Sequence, residues 1–234
     1  MGETAAELES VIGWDKLAAV NSFGALMYDY ADINKLTDTT LNLANAAFFS
    51  PRLKNPADNA IMSLRDAFRA QMFRGELSND SAREFINGWV SEKTEGEIPS
   101  VLTENLDESA VLVLINTVLL DAKWAQPFIN WGYEPKMQFT CASGETAELP
   151  CLSDSRHMTY IDNEELVGTI MDYTDNRLKF MSVKPKDGDI SKLMEGFDYS
   201  KFVSTVGAAQ EGQCDFRMPK FSIESEIDLH DCVK

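Results

Sequence analysis

The sequence is poor in histidine, in basic residues and in long apolar runs. Its 234 residues include two histidines, and 21 Lys and Arg stand against 38 Asp and Glu, a net charge of −17. This charge would repel a phosphate backbone or an anionic membrane, so we expect neither a nucleic-acid nor a membrane partner. No run approaches the roughly 18 apolar residues that span a bilayer. Hydrophobic residues nevertheless make up 44% of the chain, which predicts a globular fold with a core of its own.

The four cysteines show no metal-binding or redox spacing. They are Cys141, Cys151, Cys214 and Cys232, with no C-x-x-C pair and no histidine close by. This excludes the usual zinc and thioredoxin-like patterns, and we expect structural thiols, no metal and no cofactor. Cys141 and Cys151 flank a predicted hairpin turn at Gly144, but the two positions need not face each other across it. The acidic N-terminus has no basic segment followed by an apolar one, so this chain shows no signal peptide.

Motifs of catalysis are also missing. The sequence has no G-x-S-x-G, no H-E-x-x-H and no phosphate-cradling glycine loop, so we predict that the protein is not an enzyme. Its histidines, His157 and His230, are more typical of a solvent-facing loop or helix start than of a catalytic pair. The triplet Asn79-Asp80-Ser81 fits an N-glycosylation acceptor and serves equally as a helix N-cap.

The first half of the chain carries helical patterns around one strand. Thr4 and Glu7 form a capping box, and apolar residues at helical spacing follow over residues 14–30. Residues 40–50 alternate as a strand does. A helix is predicted after Asn55-Pro56, and another, capped at residues 79–81, should end near residues 94–96. The apolar faces of these two helices are Ile61, Leu64, Phe68 and Met72 in the former, and Phe85, Ile86, Trp89 and Val90 in the latter.

The second half is dominated by strands. Residues 110–120, AVLVLINTVLL, are almost uniformly apolar, which predicts a strand buried on both faces. Further strands are expected at residues 137–140, 158–161, 167–173 and 178–183, with turn signals between them. Two short helices should follow Gly188, and residues 216–229 look extended. The pattern predicts an α+β fold with helices first and sheets later.

Four segments, in order, resemble serpins, the serine protease inhibitor family. FINGWVSEKTEGEIPSVL, residues 85–102, resembles helix F of that family and its exit. LVLINTVLLDAKWAQPF, residues 112–128, resembles the third strand of the large sheet A. MPKFSIESEIDL, residues 218–229, resembles the sixth strand of sheet A running into helix I, and GETAAEL near the N-terminus resembles the end of the helix C region. The resemblance covers the whole chain.

The resemblance implies one incomplete serpin domain over residues 1–234, with a large mixed sheet A and smaller sheets B and C, truncated at both ends. Helices A and B, the fifth strand of sheet A and the reactive loop would be absent from this chain. The resemblance assigns structural rather than catalytic roles. It places Asn116 in the family's shutter region and Trp124 in its breach, and it matches the helix F positions with Asn87, Trp89, Thr94 and Gly96.

For the complete protein, the resemblance implies suicide-substrate inhibition of serine or cysteine proteases, in which the cleaved loop inserts beside the third strand. A non-inhibitory binding or chaperone protein and a non-functional gene fragment are the alternatives. The family implies an extracellular or periplasmic location. We expect no heparin site, because Lys16 is the only basic residue within residues 14–32. The chain by itself should trap no protease and be only marginally folded.

Overall fold

The computed structural model describes residues 38–129, 132–141, 143–174 and 176–226. Two compact units emerge, one from the described residues up to Ala122 and one from Lys123–Glu226, and each is described by itself. The elements in chain order are β1 (Thr39–Phe49), α1 (Asp58–Met62), β2 (Gln71–Arg74), α2 (Asp80–Lys93), β3 (Leu112–Ala122), β4 (Lys136–Thr140), β5 (Thr146–Asp162), β6 (Leu166–Asp172), β7 (Lys179–Pro185), α3 (Ile190–Glu195), α4 (Tyr199–Gly207) and β8 (Gln210–Pro219). The predicted helices before residue 31, the segment 227–229, His230 and Cys232 lie outside the described residues.

The first unit is a mixed sheet with a helix on one face. Its strand order is β2-β1-β3, with β1 parallel to β2 and antiparallel to β3 over all eleven of its residues. Because side chains alternate across a strand, even-numbered residues of β1 and odd-numbered residues of β3 share a face. That face forms the core with α2, from Ala46, Phe48, Leu77, Ile86, Trp89 and Val90.

Helix α2 begins and ends where the sequence predicts. The Asn79 side chain accepts the Ala82 N–H at the N-cap, and Thr94 is the C-cap. Ile86, Trp89 and Val90 are buried as predicted. Phe85, predicted on the same stripe, is 52% exposed, although its ring packs edge-on to Phe48 and Phe73.

Two predictions for this unit are wrong. The helix after Pro56 ends at Met62 and continues only as a π-turn over Ser63–Ala67, and Met72 lies on β2. Arg69, with φ of 48°, breaks the helical path before residues 71–74 pair with β1. The strand predicted at residues 110–120 is β3, but one of its faces is open, with Leu114 60% and Val118 58% exposed. An apolar sequence marks a strand but does not report whether both faces are covered.

The second unit is built around the long strand β5. It runs 17 residues and pairs with β4, β6 and β8, while β6 pairs with β7. The strands predicted at residues 137–140, 167–173 and 178–183 correspond to β4, β6 and β7, and the two short helices to α3 and α4. The strand predicted at residues 158–161 is far longer, because the preceding residues 146–150 pair along β4 and residues 151–157 pair along β8.

The extended segment predicted over residues 216–229 is only partly a strand. β8 ends at Pro219, and residues 220–226 have no regular structure. The Lys220 N–H still donates to the Pro150 carbonyl of β5 at 2.8 Å, but no ladder continues beyond it among the described residues. The three cysteines in the described ranges, Cys141, Cys151 and Cys214, are free thiols. The paired stretch of the β4–β5 hairpin ends at Thr140 and Thr146, so Cys141 and Cys151 are not cross-strand partners.

Candidate functional site

The packing of α2 on its sheet centres on Trp89. This side chain is 5% exposed and meets the Phe48 ring edge-on at 6.3 Å between centroids. Phe48 in turn stacks on Phe73 of β2 at 5.0 Å. Truncating a buried tryptophan of this kind costs about 3–5 kcal/mol, so Trp89 is the principal apolar anchor of the helix.

Two hydrogen bonds fasten α2 to β1 and β2. The indole Nε1 of Trp89 donates to Gln71 Oε1 at 2.5 Å, and Asn42 Nδ2 donates to the Lys93 carbonyl oxygen at 2.7 Å. We call Asn42, Gln71, Trp89 and Lys93 the helix clamp. Among the described residues, β3 contacts the core formed with α2 through the apolar side chains of Val113 and Ile115. Within the described ranges, α2 is therefore held on β1 and β2 by both hydrogen bonds and apolar packing, and on β3 by apolar packing.

Asn87 ties the segment that leaves α2 back to the helix. Its Oδ1 accepts the N–H groups of Val101 and Leu102 at 3.0 and 2.9 Å, and its Nδ2 donates to the Leu102 carbonyl at 2.9 Å. One side chain thus satisfies three backbone groups of an otherwise irregular segment. An asparagine side chain can make this arrangement because its amide has both an acceptor oxygen and a donor NH₂ group, whereas an aspartate carboxylate has no donor.

Thr94 and Gly96 shape the end of the helix. Thr94 is 1% exposed, and its hydroxyl donates to the Val90 carbonyl at 2.9 Å and accepts the Ile98 N–H at 3.1 Å. Gly96 has φ of 89°, and its N–H donates to the Ser91 carbonyl at 2.8 Å. A Cβ there would meet nothing within 4 Å, so the backbone conformation, not space, requires glycine.

A second polar chain lies on the sheet face opposite α2. Asn116 on β3 and Asn45 on β1 are register partners, and Asn116 Nδ2 donates to Asn45 Oδ1 at 2.9 Å. Asn45 Nδ2 donates to the Phe68 carbonyl, just beyond the π-turn, at 2.8 Å. We call Asn45, Asn116 and the Phe68 carbonyl the asparagine relay. It links the outer strand to the segment between α1 and β2.

Trp124 belongs to the second unit, whereas the other five predicted site residues belong to the first. It forms an isolated antiparallel bridge with Tyr173, and the two rings stack at 4.9 Å and 15°. Phe180 and Phe128 meet the indole edge-on at 5.5 and 6.0 Å. Burial in this cluster raises the pKa of the Tyr173 hydroxyl above its ordinary value, because the phenolate would lose solvation.

An open cleft of about 500 Å³ borders Trp124 and is lined largely by polar side chains. Among them, Arg156 pairs with Asp154 at 3.0 Å, donates to the Gln126 carbonyl at 3.0 Å, and has its guanidinium carbon 5.2 Å from the centre of the Phe128 ring. In the described ranges, no group of three or more His, Cys, Asp or Glu side chains is placed to hold a metal ion. No helix in this part of the chain is long and apolar enough to cross a membrane.

A family model for serpins (serine protease inhibitors) matches residues 1–234. The chain belongs to the serpin family. Among curated relatives, thyroxine-binding globulin of Bos taurus is 29% identical over 197 residues, which are 82% of this chain and 47% of that protein. The Homo sapiens protein of the same name is 27% identical over 192 residues, 81% of this chain and 46% of that one. This serpin chain spans about half the length of the curated relatives it matches.

Solved serpins share its fold. The latent state of the thermophilic serpin tengpin aligns with a TM-score of 0.79 at 23% identity, covering 100% of this chain and 63% of that one. Reactive-loop-cleaved human thyroxine-binding globulin aligns with a TM-score of 0.83 at 22% identity, covering 100% and 70%. The predicted α+β serpin fold, present only in part, is confirmed.

The structure places the sequence-predicted site residues in two groups. The first group lies in the helix-covered sheet and has Asn87, Trp89, Thr94 and Gly96 on α2 and its exit and Asn116 on the sheet itself. The second group is Trp124. Sequence reasoning missed the partners Asn42, Asn45 and Gln71. For Asn42 and Asn45 a signal is present, since a half-buried amide inside the largely apolar run of residues 41–49 needs a partner. For Gln71 the sequence carries no such signal.

Proposed function

We propose that this chain is the helix-covered sheet and neighbouring β-structure of one serpin domain, whose complete protein inhibits serine or cysteine proteases as a suicide substrate. The observation that carries the proposal is the asymmetry of the helix-covered sheet. β3 ends the described strand order, and α2 is bonded to β1 and β2 but only packed on β3. Such a sheet suits insertion of a strand beside β3.

The outer edge of β3 supplies the acceptor for that strand. β3 pairs with β1 along its full length, and no described strand pairs its other edge. A strand edge of this kind presents a row of backbone N–H and C=O groups that an incoming extended segment can satisfy. Insertion of a cleaved loop would gain a ladder of hydrogen bonds that the exposed loop lacks.

The helix clamp suits the movement that insertion requires. As the sheet accepts a strand, α2 must lose its contact with β3, and apolar packing can slide without leaving a buried polar group unpaired. Asn42 and Gln71 would meanwhile keep the helix attached to β1 and β2. In this proposal Asn87, Trp89, Thr94 and Gly96 hold α2 and its exit together as a unit, and Asn116 ties β3 to β1 through Asn45.

No residue of this chain has a catalytic role in the proposal. The protease's own nucleophile attacks the loop, and stored conformational energy then traps the acylated enzyme. The partner in this proposal is a serine or cysteine protease met outside the cell. The expected absence of a heparin site concerns residues 14–32, outside the described ranges, and stays a prediction.

The test uses the protein at the length its native source makes. It is incubated with a trypsin-like, a chymotrypsin-like and a papain-like protease, and a complex that survives denaturing electrophoresis is expected with at least one of them. The matched control is the same protease with its nucleophile replaced by alanine, which can bind but not acylate. Cleavage of the protein without a stable complex in all three cases, or a complex that persists with the alanine control, would contradict the proposal.

A second candidate is a non-inhibitory carrier of a small aromatic ligand. It is favoured by relatives that are 29% and 27% identical and carry the name thyroxine-binding globulin. The native-length protein would be titrated with thyroxine while tryptophan fluorescence is followed. Saturable binding without any protease complex would favour the carrier, and a protease complex without saturable binding would favour the inhibitor.

A further inference from the structure

The start of α2 carries a sequence triplet that the proposed function does not use. Asn79-Asp80-Ser81 is the single Asn-x-Ser/Thr triplet in the 234 residues. Asn79 and Ser81 are both exposed, and Asn79 has an extended backbone with φ of −118° and ψ of 166°. The triplet is therefore a solvent-facing acceptor sequence.

Capping and glycosylation would use different atoms of Asn79. The cap is made by Oδ1, which accepts the Ala82 N–H at 2.9 Å. A glycan is attached through Nδ2, which has no hydrogen-bond partner among the described residues. The neighbouring Asp80 carboxylate is engaged elsewhere, by Asn105 Nδ2 at 3.0 Å and Arg83 at 3.3 Å. A glycosylated Asn79 would still present its Oδ1 to the helix.

We propose that Asn79 is an N-glycosylation acceptor when the chain enters a secretory pathway. In the transfer, a bond forms between Asn79 Nδ2 and the C1 atom of a polyprenyl-diphosphate-linked oligosaccharide. The bond between C1 and the diphosphate oxygen breaks, the polyprenyl diphosphate leaves, and the amide proton passes to a base of the transferase. The product carries a bulky, solvating group at the exposed start of α2. The proposal requires secretion but not protease inhibition.

The experiment expresses the full chain behind a secretion leader in eukaryotic cells, as wild type, Ser81→Ala and Ser81→Thr. Release by peptide-N-glycosidase in H₂¹⁸O marks a glycosylated Asn79 as ¹⁸O-labelled Asp in peptide mass spectra. One glycosidase-sensitive species is expected for wild type and S81T and none for S81A, which keeps the Asn79 cap. Unmodified Asn79 in the wild-type chain, or a glycan that persists in S81A, would overturn the proposal.

Poor folding does not obscure this result, because the glycan is transferred to the nascent chain before it folds. Protein that is not secreted is recovered from the membrane-bound fraction of the cells, and its glycosylation is measured in the same way. A second measurement tests whether the folded cap tolerates the glycan. The glycosylated protein and S81A are expected to unfold at the same midpoint, since both keep Oδ1 bonded to Ala82. A markedly lower midpoint for the glycosylated form would show that the modified side chain no longer caps α2.

Discussion

The helix of the helix-covered sheet and the long strand of the β5-centred unit are each attached to their own unit by a different kind of bond. In the helix-covered sheet, single side-chain amides join elements far apart in sequence: Asn42 reaches the carbonyl 51 residues away at Lys93, and Asn116 reaches Asn45 across 71 residues. Strand-to-strand attachment is by backbone ladders in both units, eleven residue pairs between β1 and β3 and ten between β5 and β8.

The difference lies in how each attachment fails. A side-chain hydrogen bond contributes about 0.5–1.5 kcal/mol and can break without unpairing a strand. A ladder loses its bonds together, because displacing one strand exposes a row of backbone groups. The hydrogen bonds of α2 to β1 and β2 are of the first kind, and the pairing of β5 with β8 is of the second. This division fits the proposed strand insertion, which needs both properties.

The largest expected effect is local to the helix-covered sheet. Trp89→Ala removes the anchor of α2 and should destabilise that unit by about 3–5 kcal/mol. Hydrogen exchange should rise along α2 and β1 while the amides of β5 and β8 keep their protection. Trp89→Phe is the matched control, since it keeps an aromatic ring at this site and loses the bond to Gln71 and a smaller part of the buried volume. Equal loss of protection in both units would contradict the comparison.

The next effect tests the rigidity of the β5-centred unit. A Cβ on Gly168 would lie 2.1 Å from the Ser182 carbonyl oxygen, a backbone atom that cannot move without disturbing the β6–β7 ladder. Gly168→Ala should therefore cost about 1–3 kcal/mol or more, measured by urea unfolding. Gly88→Ala on α2 is the control, because its Cβ meets nothing within 4 Å and removing a helical glycine should stabilise by up to about 1 kcal/mol. If both variants shift stability in the same direction, the packing difference is wrong.

A smaller effect concerns the asparagine relay. Asn116→Ala should cost about 0.5–1.5 kcal/mol, and Asn45→Ala more, since it also leaves the Phe68 carbonyl without this donor. In a double-mutant cycle the two changes should be coupled by at least about 0.5 kcal/mol, because each removes the same bond. Strict additivity of the two free-energy changes would show that the pair contributes nothing as a unit.

The elements that the sequence predicts well are those whose signals are local. α2 was located from its Asn79 cap, its apolar stripe and Gly96 at its exit, all within about five turns of chain. The sequence underestimates β5 because Pro150 and the polar residues 153–157 interrupt its apolar pattern, and because residues 151–160 are ordered by β8, which lies some 60 residues later. Pairing over such a distance leaves little trace in either segment.

The candidate site divides in the same way. Asn87, Trp89, Thr94 and Gly96 could be named through the resemblance, and they act largely within α2 and its exit. The partner of Trp89 on β2, Gln71, was not predictable, because an exposed amide on a strand looks like any polar residue on an open face. The open face of β3 was missed for a related reason: burial is a property of the neighbours, not of the strand.

The smallest effect is a pH dependence confined to the β5-centred unit. Burial beside Trp124 holds the pKa of Tyr173 above its ordinary value, so the folded state binds the phenolic proton more tightly than the unfolded state. The resulting stability is fully present below the unfolded-state pKa, which is about 10. It is lost as the pH rises through the folded-state pKa. Tyr173→Phe keeps the stacked ring and has no proton to lose. In urea unfolding followed from pH 8 to pH 11, the wild-type midpoint should fall more steeply than that of Y173F, whereas parallel curves would mean that the Tyr173 hydroxyl is equally solvated in both states.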